Sequence, residues 1–375
     1  MTKPDLPLRP SEFVSRLLEW YRRERRDLPW RRTSDPYRIW LSEIMLQQTQ
    51  VKTVLPYYEK FLRAYPTVEK LAQADEHSVL SLWSGLGYYN RARNLHKAAR
   101  VVCEKHGGHF PQDLKGALEL PGIGRYTAGA ILSAAYRQPL PILDGNVRRL
   151  LVRYLCLEAA ARPKEEEAQL WNLLGRLVRT PLAARFVSEF NQALMELGAL
   201  VCKPRLPDCS KCPLQESCLA LKDGLEEKLP PPRRLRPVEK AVFVVAVIRR
   251  KGTYLLRQNL EGPILKDFWE FPRVEGRPGP GLEKRFLQTH GLLLKIHQLG
   301  SPVSHQVTFR RLIFFPALCS LRSPPPSGGW TWSRIETRGF PVSAYVRKVE
   351  RVARSLSEST PRSRTGQYIK QADRA

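Results

Sequence analysis

From Ser11 onward, apolar residues recur at helical spacing. Phe13, Leu17, Leu18 and Tyr21 share one face, while Arg22, Arg23, Arg25 and Arg26 fall mostly on the other. Ser11 is read as the N-cap of this first helix. Helical patterns then follow almost without interruption, roughly over 37–50, 52–64, 68–72, 75–83, 90–106, 113–119, 125–135, 145–156, 164–178 and 185–199. Pro, Gly and Asp punctuate them and no alternating strand pattern intervenes, so this region reads as all-α. The pattern changes at Asp223. Leu229 to Pro237 is a stiff, basic, proline-rich linker. Beyond it, the β-branched run Ala241–Ile248, a turn through Lys251-Gly252 and Thr253–Leu256 predict a hairpin. Val307–Leu318 and Trp330–Ser333 read as further strands, and 281–290 and 343–357 as helices, which makes the second part α+β. The predicted organisation is a disordered stretch over 1–10, an all-α domain over 11–222, a linker over 223–239, an α+β domain over 240–357 and a disordered basic tail over 358–375.

A chain of 375 residues is long enough for two or three domains with substantial cores. The 62 Lys and Arg outnumber 36 Asp and Glu, a formal charge of +26 that predicts a polyanionic partner, nucleic acid first. A membrane surface would need an amphipathic basic helix or an anchor, and no apolar run is long enough to span a bilayer. The first ten residues lack the apolar core of a signal peptide, so a cytoplasmic location is expected. Of seven cysteines, four crowd between Cys202 and Cys218, which argues for a metal site rather than a disulfide framework. Cys103, Cys156 and Cys319 read as ordinary thiols. Cys202, Cys209, Cys212 and Cys218, with Pro204, Pro207 and Pro213 shaping the loops, can wrap a tetra-thiolate site. Zinc stays open as an alternative, although structural zinc usually shows two CxxC knuckles and here there is one.

Three further stretches carry chemistry. Leu120-Pro121-Gly122-Ile123-Gly124 is a tight turn before a small-residue helix, and Gly122 and Gly124 leave N–H groups uncovered where a phosphate is favoured. Taken alone it reads rather as an ordinary inter-helix turn. Asp144 follows the apolar Pro141-Ile142-Leu143 and precedes Gly145, as expected of a carboxylate at an element's end facing a cleft. Glu43 sits among Ile39, Met45 and Leu46, an apolar setting that raises a carboxyl pKa and suits a general acid. In isolation it reads rather as a solvated helix glutamate.

Helix, hairpin, helix and then aspartate resembles the endonuclease III superfamily of helix-hairpin-helix DNA glycosylases. Ser42-Glu43-Ile44-Met45-Leu46-Gln47-Gln48-Thr49-Gln50 and Leu82-Trp83-Ser84-Gly85-Leu86-Gly87-Tyr88-Tyr89-Asn90-Arg91-Ala92-Arg93-Asn94-Leu95 resemble its adenine-specific branch, the A/G-specific adenine DNA glycosylases. The resemblance runs nearly continuously over 11–221. It implies that Glu43 protonates adenine, that Asp144 stabilises the sugar cation, that Asn146 orients Asp144 and that Tyr126 contacts the sugar and base. Arg31, Leu46 and Gln192 would line the adenine pocket. Gln47, Gln48, Thr49 and Tyr88 would probe the gap left by the flipped base, although Tyr88 also reads as a plain core aromatic. The cysteine spacing resembles the superfamily's [4Fe–4S] loop, which would hold Lys203, Arg205 and Lys211 against DNA.

The superfamily's glycosylase/lyases carry a lysine where this chain has Tyr126, so the resemblance implies a monofunctional enzyme. The second domain resembles the family's Nudix-like module that recognises 8-oxoguanine. Asp267-Phe268-Trp269-Glu270-Phe271-Pro272 matches the Nudix lead-in, but the paired metal-binding glutamates are missing from the stretch that follows. Ser304 and His305 match the damage-sensing loop, with Val303 where the family has phenylalanine. The expected fold is an all-α helix-hairpin-helix glycosylase region with an iron–sulfur loop, followed by an α+β Nudix-like domain. The expected function is base-excision repair by a monomer on double-stranded DNA, removing adenine mispaired with 8-oxoguanine or guanine and leaving an abasic site. A bifunctional pyrimidine-damage glycosylase, a non-catalytic iron–sulfur DNA-binding protein and a Nudix hydrolase are the alternatives.

Overall fold

The computed structural model describes residues 6–157, 163–231, 237–260, 268–307, 309–335 and 342–358. The chain divides into two compact units, Met1–Ala74 with Asn90–Arg234, and Asp75–Tyr89 with Leu235–Ala375. Among the described residues no helix is long and apolar enough to cross a membrane. The tail from residue 359 and the middle of the proline-rich linker lie outside the described residues.

The first unit is helical, as the periodicity predicts. Its opening helix, Pro10–Glu24, buries Phe13, Val14, Leu17, Leu18, Trp20 and Tyr21. Pro10 rather than Ser11 marks its start, because a ring that fixes φ and lacks an N–H fits the first helical turn; the N-cap is Arg9, with no side-chain cap bond. Leu6 and Leu8, within the stretch expected to be disordered, pack onto the same core. The pattern over 37–50 yields a helix only from Pro36 to Leu46. There Gln48 turns left-handed at φ 55°, and the buried Arg91 donates to the carbonyls of Ile44, Met45 and Gln47 and to Thr49 Oγ1. The pattern over 185–199 is helix Val187–Leu200, and a short unpredicted helix, Pro181–Arg185, precedes it, separated where Phe186 takes φ −120°, ψ 39°.

Two glycines fix the backbone beneath the site. A Cβ on Gly129, in helix Arg125–Tyr136, would stand 2.5 Å from the Pro141 carbonyl oxygen. One on Gly198, in Val187–Leu200, would stand 2.8 Å from the Asn146 Cβ and carbonyl oxygen. Residues 141–146, with Asp144 among them, are therefore clamped by helices from two sides at distances only glycine permits.

The second unit carries strands β1 (Glu239–Arg250), β2 (Thr253–Gln258), β3 (Trp269–Glu270), β4 (Arg273–Glu275), β5 (Leu294–Leu299), β6 (Val303–Val307), β7 (Arg310–Leu321) and β8 (Trp330–Ser333). The sheet order is β3-β2-β1-β7-β5, with β4 on β1, β6 on β7 and β8 on β2. β1 and β7 run parallel, with Val244 opposite Phe315. The continuous apolar run in β1 has a simple cause. Val245 and Val247 enter one core with helix Ala344–Glu358, while Val244, Ala246 and Ile248 enter another with helix Leu282–His290. Both faces are covered, so no polar alternation is needed. The unit is α+β, as expected; the predicted Val307–Leu318 strand is β7, while β3, β4, β5 and β6 carry no pattern legible in the sequence.

Candidate active site

The first unit holds a cleft of about 980 Å³ whose lining includes Glu43, Tyr126, Asp144, Asn146, Arg31, Leu46, Gln47, Gln48, Thr49 and Gln192. Glu43 rides on helix Pro36–Leu46, which starts cleanly because Asp35 accepts from the Tyr37 amide at 2.9 Å and Pro36 takes the first position. The residue as a whole is half-buried, and the Tyr126 hydroxyl donates to its Oε2 at 3.0 Å. That hydroxyl also lies 3.1 Å from Met195 Sδ. Burial pushes the Glu43 carboxyl up to about 7, with the charge of Asp144 adding to the effect and Tyr126 and Arg31 opposing it.

Asp144 caps helix Gly145–Tyr154. Its Oδ1 accepts from the Val147 amide at 2.7 Å and its Oδ2 from Asn146 Nδ2 at 2.8 Å. Burial raises this carboxyl too, but the hydrogen bonds from Val147 and Asn146 and the charge of Arg149 pull against it. The helix N-terminus favours the anion as well. The two carboxyls thus differ in kind: Glu43 keeps a proton toward neutrality, while Asp144 is solvated by protein donors. The support continues outward. Arg149 Nη2 donates to Asn146 Oδ1 at 2.9 Å and to the Gly198 carbonyl at 2.6 Å, and Arg149 Nε to the Cys202 carbonyl at 2.7 Å.

The lining also holds a residue that sequence reasoning missed, Glu196. Arg31 does not stand alone: it forms a two-armed ion pair with Glu196, which Arg26 also engages. Burial alone would raise the Glu196 carboxyl, but the hydrogen bonds from Arg26 and Arg31 outweigh it and hold it down to about 2. Gln192 accepts from the Tyr21 hydroxyl at 2.6 Å and donates to Ser188 Oγ at 3.0 Å. The signal for Glu196 was present: like Glu43, it is a carboxylate among apolar helix residues, here Ala193, Leu194 and Leu197.

Gly122 and Gly124 sit at the exposed hairpin between helices Leu114–Glu119 and Arg125–Tyr136 and do not line the cleft. Gly122 has φ 79°, and a Cβ there would meet Asn94 Cβ at 2.7 Å. Gly124 caps the following helix with no side-chain acceptor, leaving its first amides available to an anion. Gln47 Nε2 reaches Thr127 Oγ1 at 3.4 Å.

Tyr88, Ser304 and His305 belong to the second unit. Tyr88 is left-handed at φ 48° and 45 % exposed. Ser304 and His305 lie on strand β6 rather than in a loop, so the two-residue period sends them to opposite faces. Ser304 is exposed and accepts from Arg311 Nε at 3.3 Å, while His305 is half-buried with its ring 6.2 Å from that of Tyr345. Val303 is buried in the core and does not protrude.

Cys202, Cys209, Cys212 and Cys218 are free thiols lining one small cavity with Leu150, Arg153 and Tyr154. Arg153 is 1 % exposed and donates to Cys202 Sγ at 3.3 Å, the Lys203 carbonyl at 2.7 Å and the Leu229 carbonyl at 2.7 Å. Among the described residues no group of three or more His, Cys, Asp or Glu side chains is arranged to hold a metal ion. A lone zinc would need all four sulfurs within about 2.3 Å of one point. Sulfurs spaced around a cavity beside a buried guanidinium suit a larger, anion-rich guest, and in that sense the donor set fits an iron–sulfur cluster.

Residues 41–176 match the HhH-GPD superfamily of base excision DNA repair proteins. The adenine DNA glycosylase of Buchnera aphidicola from Acyrthosiphon pisum is 39% identical, over 71% of this chain and 75% of that protein. The adenine DNA glycosylase of Homo sapiens is 36% identical, over 93% of this chain and 75% of that protein, so the likeness extends through both units. A thermostable thymine-DNA glycosylase of known structure matches with a TM-score of 0.52 at 33% identity, covering 57% of this chain and 97% of that one.

Proposed function

The chain belongs to the adenine DNA glycosylase family, and from the geometry of its cleft we propose that it excises adenine mispaired with 8-oxoguanine or guanine in duplex DNA, as a monofunctional monomer. The observation that carries the reading is the pair of unlike carboxyls, Glu43 and Asp144, in one cleft large enough for a flipped nucleotide. Breaking an N-glycosidic bond needs a proton for the departing base and negative charge beside the oxocarbenium-like sugar. Glu43 supplies the proton from a setting that keeps it near neutral pH, and Asp144 supplies the charge. Water then adds to the sugar, which leaves an abasic site.

Tyr126 has no amine with which to form a Schiff base. Lys52, exposed at the cleft's lining, is the amine that a lyase reading would have to use. We assign 8-oxoguanine recognition to the second unit. The glutamate of its helix Leu282–His290, Glu283, accepts from the Ile296 amide at 2.8 Å, which supports a domain that reads rather than hydrolyses. We assign Cys202, Cys209, Cys212 and Cys218 to a [4Fe–4S] cluster, which would brace the loop carrying Lys203, Arg205 and Lys211 against the phosphate backbone.

The test is a single-turnover assay on a duplex with one 8-oxoguanine:adenine pair, with and without hot alkali. Strand cleavage only after alkali is expected. Cleavage without alkali would point to Lys52 and a lyase, and binding without product would favour a non-catalytic protein.

A further inference from the structure

Glu196 lies one turn after Gln192 on helix Val187–Leu200, lines the cleft and is 0 % exposed. Its oxygens accept from the Arg26 amide and Nε, each at 2.9 Å, from Arg26 Nη2, and from Arg31 Nη1 and Nη2 at 2.9 and 2.8 Å. The two arginines differ in setting, with side-chain exposures of 35% for Arg26 and 13% for Arg31. Arg26 therefore carries the excess positive charge toward water, and Arg31 is matched by the carboxylate.

Stability alone is a weak reason for such a group, because apolar side chains of similar volume often serve as well. What the pair does fix is direction. Arg31 and Glu43 line the same cleft, and the charge of Arg31 already pulls on the Glu43 proton. A guanidinium released from Glu196 would leave its charge unopposed in the cleft and favour the ionised form of Glu43. An ionised Glu43 has no proton to give a leaving base.

We propose that Glu196 is a positioning residue for base excision: by engaging both arms of Arg31 it keeps that cation off Glu43 while holding it as a wall of the base pocket. The proposal rests on the reading of Glu43 as the general acid. The charged and titratable groups acting on Glu43 are Tyr126 from helix Arg125–Tyr136, Asp144 at the cap of Gly145–Tyr154 and Arg31. Those engaging Glu196 are Arg26 and Arg31, and Tyr21 stands beside them with Arg31 5.6 Å from its ring centroid.

The experiment is the pH dependence of single-turnover adenine release by the full chain, on the 8-oxoguanine:adenine duplex. In Glu196→Gln the pH at which the rate falls should move down by about one unit, so that a roughly tenfold loss on the alkaline side is recovered on acidification. Arg31→Met combined with Glu196→Met removes both charges and leaves only Arg26, the more exposed of the two arginines, to turn to water, and its midpoint should sit at or above that of the parent protein. A uniform loss of rate in Glu196→Gln, with the midpoint unmoved, would overturn the proposal. If that variant does not fold, the double variant decides, and a midpoint below the parent's overturns it. A parent protein that releases no adenine at any pH would sink the glycosylase reading itself, which is a different failure.

Discussion

The Tyr126 hydroxyl donates to Glu43 Oε2 at 3.0 Å, where a lyase of the superfamily would present an amine. This bond stabilises the ionised carboxylate and so works against the burial that raises the Glu43 pKa. Tyr126→Phe should therefore raise that pKa further above about 7, and the decline of excision with pH should shift upward. A rate–pH profile measured under single turnover checks this. A downward shift would show that the phenol helps Glu43 keep its proton instead.

Glu43 should also cost the fold stability at alkaline pH. Its carboxyl binds a proton more tightly in the folded chain, at about 7, than an ordinary glutamate at 4.5. Its favourable contribution is therefore complete below 4.5 and is lost as pH rises through about 7. Glu43→Gln should abolish excision yet stabilise the protein by roughly 2 kcal/mol near pH 8, with little change near pH 4. Urea melts at the two pH values test this, and an equal effect at both would contradict the assigned protonation.

Arg149 links Asn146 Oδ1 to the Cys202 carbonyl and so ties the orientation of Asp144 to the cysteine loop. In Arg149→Met, Asp144 keeps the Val147 amide bond but Asn146 loses its anchor. Excision should fall by about 100-fold, the usual scale for a misplaced reacting group, with DNA affinity changed little. A parallel loss of affinity and rate would mean that Arg149 chiefly contacts DNA.

The purified protein should be brown, and its iron and sulfide content should match one [4Fe–4S] cluster per chain. Cys212→Ser should bleach the visible absorption and weaken DNA binding through the loop that carries Lys203, Arg205 and Lys211. A colourless parent protein with stoichiometric zinc would replace the cluster assignment with a zinc site.

Local pattern made much of this protein legible. Helix Asn90–His106 matches the predicted span, and Asp144 occupies the element's end where its neighbours placed it. What stayed hidden depends on which faces meet. The pairing of Arg31 with Glu196 joins residues 165 positions apart, and nothing in either stretch names the other. The early end at Leu46 is set by a tertiary contact, from Arg91, rather than by any breaker residue. The segment Asp75–Tyr89 has the apolar pattern of any short helix, and its grouping with the second unit depends on long-range packing such as Tyr89 against Phe268, 4.2 Å between ring centroids. The strand placement of Ser304 and His305 follows from pairing with β7, which the motif alone does not encode.

Gly129 and Gly198 set which parts of the cleft can diverge. Where backbone meets backbone at such separations, any side chain must push the Asp144 segment aside, so this part of the cleft is closed to gradual change by substitution. Leu46, Gln192 and Met195, by contrast, contribute side chains to the lining. A library aimed at a different excised base would vary these positions and leave the two glycines fixed. Lineages that acquire new base preferences should show their substitutions on the same side.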